Sequence, residues 1–316
     1  MYRVKEGILG CAIGDALGIS SRNLDRNYLL ENPVLKMNSN IKEGIPAGSW
    51  SYNTSVILAT IDAIIENNLD YTKIVGNIVK WFTINKYSSV NSSFGIDKES
   101  MNILASLSNN ENNDTNDNFN NSSLTILFPI ILYCMSNKKE DLYKNIKCIT
   151  KIFNDNELSI CGAYILTNFI INLYNNNDKN KALKLLKNAD YSMFSNDVLN
   201  KYFRILIGDI NDLLIEEINS TNYIVDTIES SIWCFMKSDN FKDSLVATTN
   251  LGGDTSTIGS ITGLLSGIYY GINNIPKDWL NNLRKNDYLI KISDDYEKYL
   301  RILSYDNWYL KDFCYN

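Results

Sequence analysis

The sequence contains no histidine among its 316 residues. Imidazole is the usual base of serine–histidine nucleophiles and the commonest nitrogen ligand of zinc, so both kinds of site are excluded. A metal bound by this chain would therefore be a hard cation held by oxygen atoms.

Cysteines are few and widely separated, at positions 11, 134, 148, 161, 234 and 314. None forms a Cys-x-x-Cys pair, and most lie inside apolar runs such as 131–135 and 232–236. This pattern predicts buried, reduced thiols in a cytoplasmic protein, and it argues against disulfides or a thiolate metal site.

Long apolar runs and clusters of charge of one sign are also missing. No stretch of eighteen or more apolar residues occurs, so we expect no membrane span, and the first residues do not resemble a signal peptide. Acidic and basic residues are interleaved with a net charge of −6. Because nucleic-acid phosphates require a basic patch, we expect no nucleic-acid partner.

Apolar residues recur at helical spacing along most of the chain, as in 56–65, 74–82, 163–173 and 224–235. Alternating strand patterns are missing. The Asn-rich stretch 109–121 is predicted as a mobile loop, because its composition cannot bury apolar surface. The sequence thus predicts one all-α domain over residues 1–316.

Glycines mark the first helix at positions 7, 10, 14 and 18, which share one helical face. Each glycine costs about 1 kcal/mol relative to alanine inside a helix. A face without side chains lets another helix approach closely, and this packing role suffices to explain the glycines.

Polar residues stand directly before apolar helices in segments 48–54, 121–129 and 250–259. Ser51 or Asn53 could cap the helix that follows the first segment. The turn at residues 252–255 offers backbone N–H groups and oxygen side chains at a helix N-terminus, which suits an anion or an oxygen-bound cation. Alone, such a turn is as often only a helix cap.

Taken together and in this order, these segments resemble the ADP-ribosylglycohydrolase family. Residues 10–18 resemble its Gly-x-x-x-Gly-Asp-Ala-Leu-Gly motif, and residues 50–54 occupy the place of its Trp-Thr-Asp-Asp-Thr motif. Residues 121–129 resemble its Asn-Gly-Ser-Leu-Met-Arg-Ile-x-Pro segment.

The C-terminal part carries the most specific likeness. Residues 223–233 resemble the family's Gly-Tyr-Val-x-x-Thr-Leu-x-Ala-Ala-Leu-Trp helix, and residues 250–257 resemble its Asn-Leu-Gly-Gly-Asp-Thr-Asp-Thr motif. The resemblance extends from about residue 7 to residue 283.

The resemblance implies an orthogonal all-α bundle that holds two Mg²⁺ or Mn²⁺ ions and hydrolyses the N- or O-glycosidic bond of ADP-ribose. It implies metal positions at Ser51, Asn53, Asp254 and Thr257, and catalytic candidates at Asp254 and Asp15. The implied ligand-binding positions are Arg22, Ser51, Tyr52, Asn53, Asn121, Ser122, Gly252, Gly253, Asp254 and Ser256.

The departures from the family concentrate in the metal motifs. Tyr52 and Asn53 replace the two aspartates of Thr-Asp-Asp-Thr, and Ser256 replaces the second aspartate of Asp-Thr-Asp-Thr. Arg22 stands where an acidic residue usually follows the opening motif, and Phe153 stands near the place of a histidine. Of five acidic positions only Asp254 remains. We therefore expect no metal to bind tightly, and Mg²⁺ or Mn²⁺ to bind only if the family site is partly retained.

Two of these residues have competing interpretations. Asp15 is followed by Gly18 and preceded by Gly14, a setting in which hydrogen bonding to backbone is favoured over catalysis. Tyr52 is either a wall of the pocket or filler for the volume of the lost metals, and the sequence does not choose. Trp50 and Trp233 are predicted to be core residues.

The leading hypothesis is a non-hydrolytic protein that binds ADP-ribose, a related nucleotide or an ADP-ribosylated partner. Arg22 would contact the pyrophosphate and pair with Asp254 across the lost metal site. An equal alternative is that Arg22 is a solvated residue of the loop that begins at Ile19. The alternative is a hydrolase with a rebuilt, metal-poor site, using Asp254, Asp15 or a distant carboxylate such as Asp97 or Asp226. A third option is a structural or regulatory partner without a functional cleft.

Overall fold

The structure is a computed structural model that describes residues 3–111, 115–176 and 178–313, with side chains described as far as residue 305. In this part of the chain the α-helices are α1 (Val4–Gly18), α2 (Arg26–Glu31), α3 (Tyr52–Asn67), α4 (Tyr71–Ile84), α5 (Lys98–Ser108), α6 (Leu127–Ser136), α7 (Leu142–Thr150), α8 (Glu157–Asn175), α9 (Lys179–Lys187), α10 (Asn196–Lys201), α11 (Phe203–Leu206), α12 (Ile224–Lys237), α13 (Phe241–Thr249), α14 (Thr255–Tyr270), α15 (Lys277–Asn282) and α16 (Asn286–Phe313). The described residues form isolated β-bridges but no β-strand, so the fold is all-α, as the sequence predicted.

Helices α1 and α14 pack against each other along their lengths at the centre of the molecule, and both are buried almost throughout. A Cβ atom added to Gly14 would lie 1.8 Å from the Gly259 carbonyl oxygen, and one added to Gly263 would lie 2.0 Å from the Gly10 carbonyl oxygen. Gly10, Gly14 and Gly18 of the predicted glycine face therefore form the surface on which α14 packs, whereas Gly7 faces Phe128 of α6. We call this contact the α1–α14 seam.

Helices α3, α12, α13 and α16 surround the seam and contribute to one continuous hydrophobic cluster. Trp50 is fully buried, and its indole N–H donates to the Arg284 carbonyl at 2.9 Å. Trp233 is also buried and donates to the Leu213 carbonyl at 3.1 Å. Both tryptophans are core residues with satisfied polar groups, as predicted.

The described cysteines are all free thiols. Cys11, Cys134, Cys161 and Cys234 are buried as predicted, Cys148 is exposed, and Cys314 lies outside the described residues. No helix in the described part of the chain combines the length and the apolar character that a membrane crossing requires.

The Asn-rich stretch contains no helix in its described parts, 109–111 and 115–121, as predicted. Within residues 115–121, Thr115, Asn120 and Asn121 are nevertheless buried. Asn154 donates from its amide to the Asn118 and Asn120 carbonyl groups at 2.8 and 3.2 Å. Amide side chains thus satisfy this backbone, so a polar segment can be buried without apolar anchors.

Candidate functional site

A cavity of about 520 Å³ opens where helices α3, α5 and α14 begin. Its lining is polar over most of the wall and comes from six separate segments of the chain. The lining residues are Arg22, Asn23, Tyr52, Asn53, Gly95, Ile96, Asp97, Asn121, Ser122, Ser220, Thr221, Asn222, Gly253, Asp254 and Thr257.

Most positions implied by the family resemblance meet in this cavity. Those that line it are Arg22, Tyr52, Asn53, Asn121, Ser122, Gly253, Asp254 and Thr257, whereas Asp15, Ser51, Gly252 and Ser256 are not part of the lining. Asp97, named only as a distant candidate, lines the cavity, and Asp226 does not.

Reasoning from the sequence did not identify residues 95–96 and 220–222 as parts of the cavity wall. Both are polar or glycine-containing stretches that precede a helix, α5 and α12 respectively. That pattern is shared with many ordinary helix caps, so it gives no signal of its own for a binding site.

The turn that follows α1 and the turn that precedes α14 face each other, as predicted. The backbone N–H of Asn23 donates to the Gly253 carbonyl at 2.8 Å, and that of Gly253 donates to the Leu24 carbonyl at 3.1 Å. The N–H of Asp254 donates to the Ser220 carbonyl at 2.8 Å. Three backbone hydrogen bonds therefore fix Arg22 and Asp254 on neighbouring parts of the same wall.

The predicted ion pair between Arg22 and Asp254 is wrong for the described residues. The guanidinium of Arg22 instead lies with Nη2 3.7 Å from Oε1 of Glu43. Asp254 Oδ2 accepts from the Asn121 amide at 2.7 Å, and Oδ1 lies 3.4 Å from the Ser256 hydroxyl. Asp254 already has neutral donors, so Arg22 pairs with a carboxylate that reaches it from another loop.

The segment 120–122 contacts both carboxylates of the cavity. The amide of Asn120 and the hydroxyl of Ser122 donate to Asp97 at 2.9 and 2.8 Å. Asn121, between them, donates to Asp254 at 2.7 Å. Successive side chains of one short segment thus orient two carboxylates that are far apart in the sequence.

Asp15 is fully buried and accepts hydrogen bonds from four donors of the α3 N-terminus. These are the N–H and hydroxyl of Ser51, at 2.8 and 2.7 Å, and the N–H and hydroxyl of Thr54, at 3.2 and 2.8 Å. Burial raises the pKa of Asp15 to about 6, although these donors lower it. Asp15 therefore accepts the hydrogen bonds of a helix N-terminus from a distant part of the chain, and it does not line the cavity.

Tyr52 lines the cavity and also supports a neighbouring segment of the chain. Its ring packs edge-on against Trp81 and Phe153, at centroid distances of 5.3 and 6.0 Å. Its hydroxyl donates to the Ser122 carbonyl at 3.1 Å, and burial raises the pKa of the phenol well above its usual value. A position that the resemblance assigns to a metal-binding acid therefore packs against the core and supports segment 120–122.

The residues present do not fit a pair of divalent cations. The amide nitrogen of Asn53 lies 3.3 Å from the Thr257 hydroxyl and 3.4 Å from the Ser51 hydroxyl, so Asn53 presents donors to this region. Among the described residues, no group of three or more acidic, histidine or cysteine side chains could hold a metal ion. Two dications need several anionic oxygen ligands, and the described cavity lining offers two carboxylates, Asp97 and Asp254, which already accept hydrogen bonds from segment 120–122.

Comparison with known proteins agrees with this fold and with the order of the motifs. The ADP-ribosylglycohydrolase family model matches residues 1–306. The chain is 25% identical over 313 residues to ADP-ribosylarginine hydrolase Tri1 of Serratia proteamaculans, covering 92% of this chain and 78% of the relative. It is 42% identical over 64 residues to ADP-ribosyl-[dinitrogen reductase] glycohydrolase of Rhodospirillum rubrum, covering 20% of this chain and 22% of the relative.

A solved structure of an ADP-ribosylglycohydrolase-related protein complex has the same fold. It superposes with a TM-score of 0.76 at 20% sequence identity, over 96% of this chain and 98% of that one. Because the family model matches nearly the whole length of the chain, the chain belongs to the ADP-ribosylglycohydrolase family.

Proposed function

We propose that this chain binds ADP-ribose, or the ADP-ribosyl group of a modified protein, without hydrolysing it by a metal-dependent route. One observation carries the proposal: Asn53, which stands where the family motif has an aspartate, places its amide nitrogen 3.3 Å from the hydroxyl of Thr257. An amide donor and a neutral hydroxyl oxygen carry no negative charge, so this pair of side chains cannot replace the carboxylates that bind a dication. The polar cavity nevertheless remains open.

The dimensions and charges of the cavity support a nucleotide ligand. A volume of about 520 Å³ is within the range of small-molecule sites. The planar guanidinium of Arg22 can contact two phosphate oxygens at once, which an acidic residue at this position could not do. Three helices begin at the cavity, but a carboxylate already stands at each of their N-termini: Asp15 at α3, Asp97 at α5 and Asp254 at α14. Arg22 is therefore the group of the lining that favours an anion.

The names of the relatives define the chemistry of the proposed ligand. They act on ADP-ribosylarginine and on ADP-ribosyl-dinitrogen reductase. The group common to those substrates is ADP-ribose, so we assign it as the recognised group here. We place the binding in the cytoplasm, where buried thiols such as Cys11 and Cys234 remain reduced.

The proposal is tested by titrating the protein with ADP-ribose and, separately, with Mg²⁺ and Mn²⁺, by calorimetry and thermal melting. We expect ADP-ribose to raise the melting temperature, because a ligand at a hundredfold excess over its Kd adds about 2.7 kcal/mol to the free energy of unfolding. We expect neither metal to produce a rise that saturates at micromolar concentration. Such a rise would contradict the proposal.

A matched variant tests the reason for the missing metal response. Asn53→Asp combined with Ser256→Asp restores two carboxylates of the family motifs, and we expect this double variant to gain a saturable melting shift with Mn²⁺. If wild type and double variant respond alike, the lost acids do not explain the behaviour of the site.

The second candidate is a hydrolase with a metal-poor site. It is favoured by the two carboxylates, Asp97 and Asp254, that line one cavity and are oriented by the same segment. One carboxylate could then act as acid and the other as base. We expect hydrolysis of ADP-ribosyl-arginine and ADP-ribosyl-serine to be undetectable beside a conventional family member. Turnover within tenfold of that enzyme, abolished by Asp254→Ala or Asp97→Ala, would establish this candidate instead.

A further inference from the structure

The ion pair between Arg22 and Glu43 lies at the edge of the cavity. Arg22 belongs to the cavity wall, and its side chain is 21% exposed, whereas the side chain of Glu43 is 39% exposed. The two charged groups are 3.7 Å apart, which is long for an ion pair. The one cationic side chain of the described cavity lining therefore has a carboxylate from outside the cavity as its partner.

Glu43 stands near the tip of an exposed turn. Asn40 and Ile45 exchange both backbone hydrogen bonds at the base of this turn, at 2.9 and 3.0 Å, and residues 41–44 are exposed. The Asn40 amide also donates to the Ile19 carbonyl at 3.1 Å. The base of the turn is thus attached beside the Arg22 loop, while the side chain of Glu43 has solvent on its other side.

Arg22 is the less movable partner. Its loop is attached to the Gly253 turn by the two backbone hydrogen bonds described above. Its guanidinium passes close over Gly95, where an added Cβ atom would lie 3.4 Å from Nη1. A group that competes for Arg22 would therefore displace Glu43, because Glu43 can turn into solvent and Arg22 is held against the wall.

We propose that Glu43 is a specificity-determining residue that pairs with Arg22 and is displaced from it by the anionic part of the ligand. An exposed ion pair contributes little in water. A diphosphate offers Arg22 two oxygens and a larger charge, so it outcompetes a single carboxylate. Glu43 lowers the affinity of the cavity for anions and leaves its affinity for neutral groups unchanged. The identity of the anion as the diphosphate of ADP-ribose rests on the proposed function.

The proposal is tested on the full chain with ADP as an anionic probe and adenosine as its neutral counterpart. We expect Glu43→Gln to bind ADP roughly two- to fivefold more tightly than wild type, the range that corresponds to an exposed ion pair. Adenosine binding should not change. Glu31→Gln is the matched control, because Glu31 is exposed, outside the cavity lining and without an ion pair in the described part of the chain; it should leave both affinities unchanged.

A double-variant cycle shows whether the effect passes through Arg22. In an Arg22→Gln background, Glu43→Gln should no longer change ADP affinity. If Glu43→Gln still strengthens ADP binding in this background, or if Glu31→Gln strengthens it equally, the effect is a general one of net charge. Either result would overturn the proposal. Equal ADP affinity of Glu43→Gln and wild type would overturn it directly. Thermal melts of each variant establish that the compared proteins are folded.

Titrations with ADP-ribose in parallel separate this inference from the proposed function. If Glu43→Gln strengthens ADP binding through Arg22 while ADP-ribose binds to no variant, the inference holds and the proposed ligand is wrong. If ADP-ribose binds to wild type and Glu43→Gln equally, the proposed function stands and the inference is wrong. If neither nucleotide binds to any variant, both are wrong.

Discussion

The cavity lies at one end of the α1–α14 seam, next to the loop that follows α1 and the start of α14, yet the sequences of the two regions obey different requirements. In the seam, backbone of one helix contacts glycine of the other, as Gly14 and Gly259 do. In the cavity, a carboxylate position of the family is occupied by Tyr52 and another by Asn53. The helices need close packing to fold together, but they do not need the charges that a metal requires.

Some of the positions that differ from the family motifs carry aromatic side chains that pack together. Tyr52 and Phe153, which stand at or near polar positions of the family motifs, pack edge-on against each other at 6.0 Å. Aromatic pairs of this geometry stabilise a fold beyond the area they bury. Tyr52 of the cavity wall is therefore fixed by packing against the core.

The largest effect is expected in the seam. Gly14→Ala places a methyl group 1.8 Å from a carbonyl oxygen of Gly259, so we expect a loss of about 3 kcal/mol or more in the free energy of unfolding. Gly76→Ala in α4 is the control, because an added Cβ there meets nothing within 4 Å and should stabilise the helix by about 0.5–1 kcal/mol. Urea unfolding of both variants measures the difference; similar effects would mean that the seam tolerates side chains.

The sequence predicted the seam better than the cavity for a physical reason. The spacing of Gly10, Gly14 and Gly18 is a local pattern, and it specifies a helix face regardless of what packs there. The partner of Arg22 and the membership of Asp97 in the wall depend on how separate loops meet. Such contacts produce no periodic pattern in the sequence, so only the structure reveals them.

Asp15 connects the two regions, because it stands in α1 and caps the start of α3. Asp15→Ala leaves the Ser51 and Thr54 donors buried without an acceptor, so we expect a loss of about 2–3 kcal/mol in the free energy of unfolding. Asp25→Ala removes an exposed cap of α2 and should cost about 1 kcal/mol. Chemical denaturation at pH 7 compares them, and equal losses would show that Asp15 is an ordinary cap.

The same residue predicts a pH dependence. Burial raises the pKa of Asp15 from 3.8 to about 6, so between these values the folded protein holds a proton that the unfolded chain releases. Its contribution to stability is complete below pH 3.8 and is lost as pH rises through about 6. The stability of wild type relative to Asp15→Asn should fall with pH, by at most about 1.4 kcal/mol per pH unit. Unfolding measured from pH 4 to pH 7 checks this; a rise would mean that the four donors outweigh burial.

The smallest expected effect on stability comes from the hydroxyl of Tyr52, at the boundary between the cavity and the core. Tyr52→Phe removes the hydroxyl that donates to the Ser122 carbonyl but keeps the ring, so we expect a loss of about 1 kcal/mol in the free energy of unfolding. Tyr296→Phe is matched to it, because Tyr296 is fully buried and donates to the Pro129 carbonyl at 2.7 Å, away from the cavity lining. The two variants should therefore lose similar stability.

Their effects on binding should differ, because Tyr52 supports the segment that orients both carboxylates of the cavity. Without the Tyr52 hydroxyl, the Ser122 carbonyl loses its hydrogen-bond donor. The side chains of Asn121 and Ser122 are then held less firmly against Asp254 and Asp97. We expect Tyr52→Phe to weaken ADP-ribose binding severalfold and Tyr296→Phe to leave it unchanged, as measured by calorimetry. Equal affinities in the two variants would mean that the Tyr52 hydroxyl serves only the fold. The tyrosine that replaced a metal-binding acid would then belong, in its function, to the core and not to the cavity.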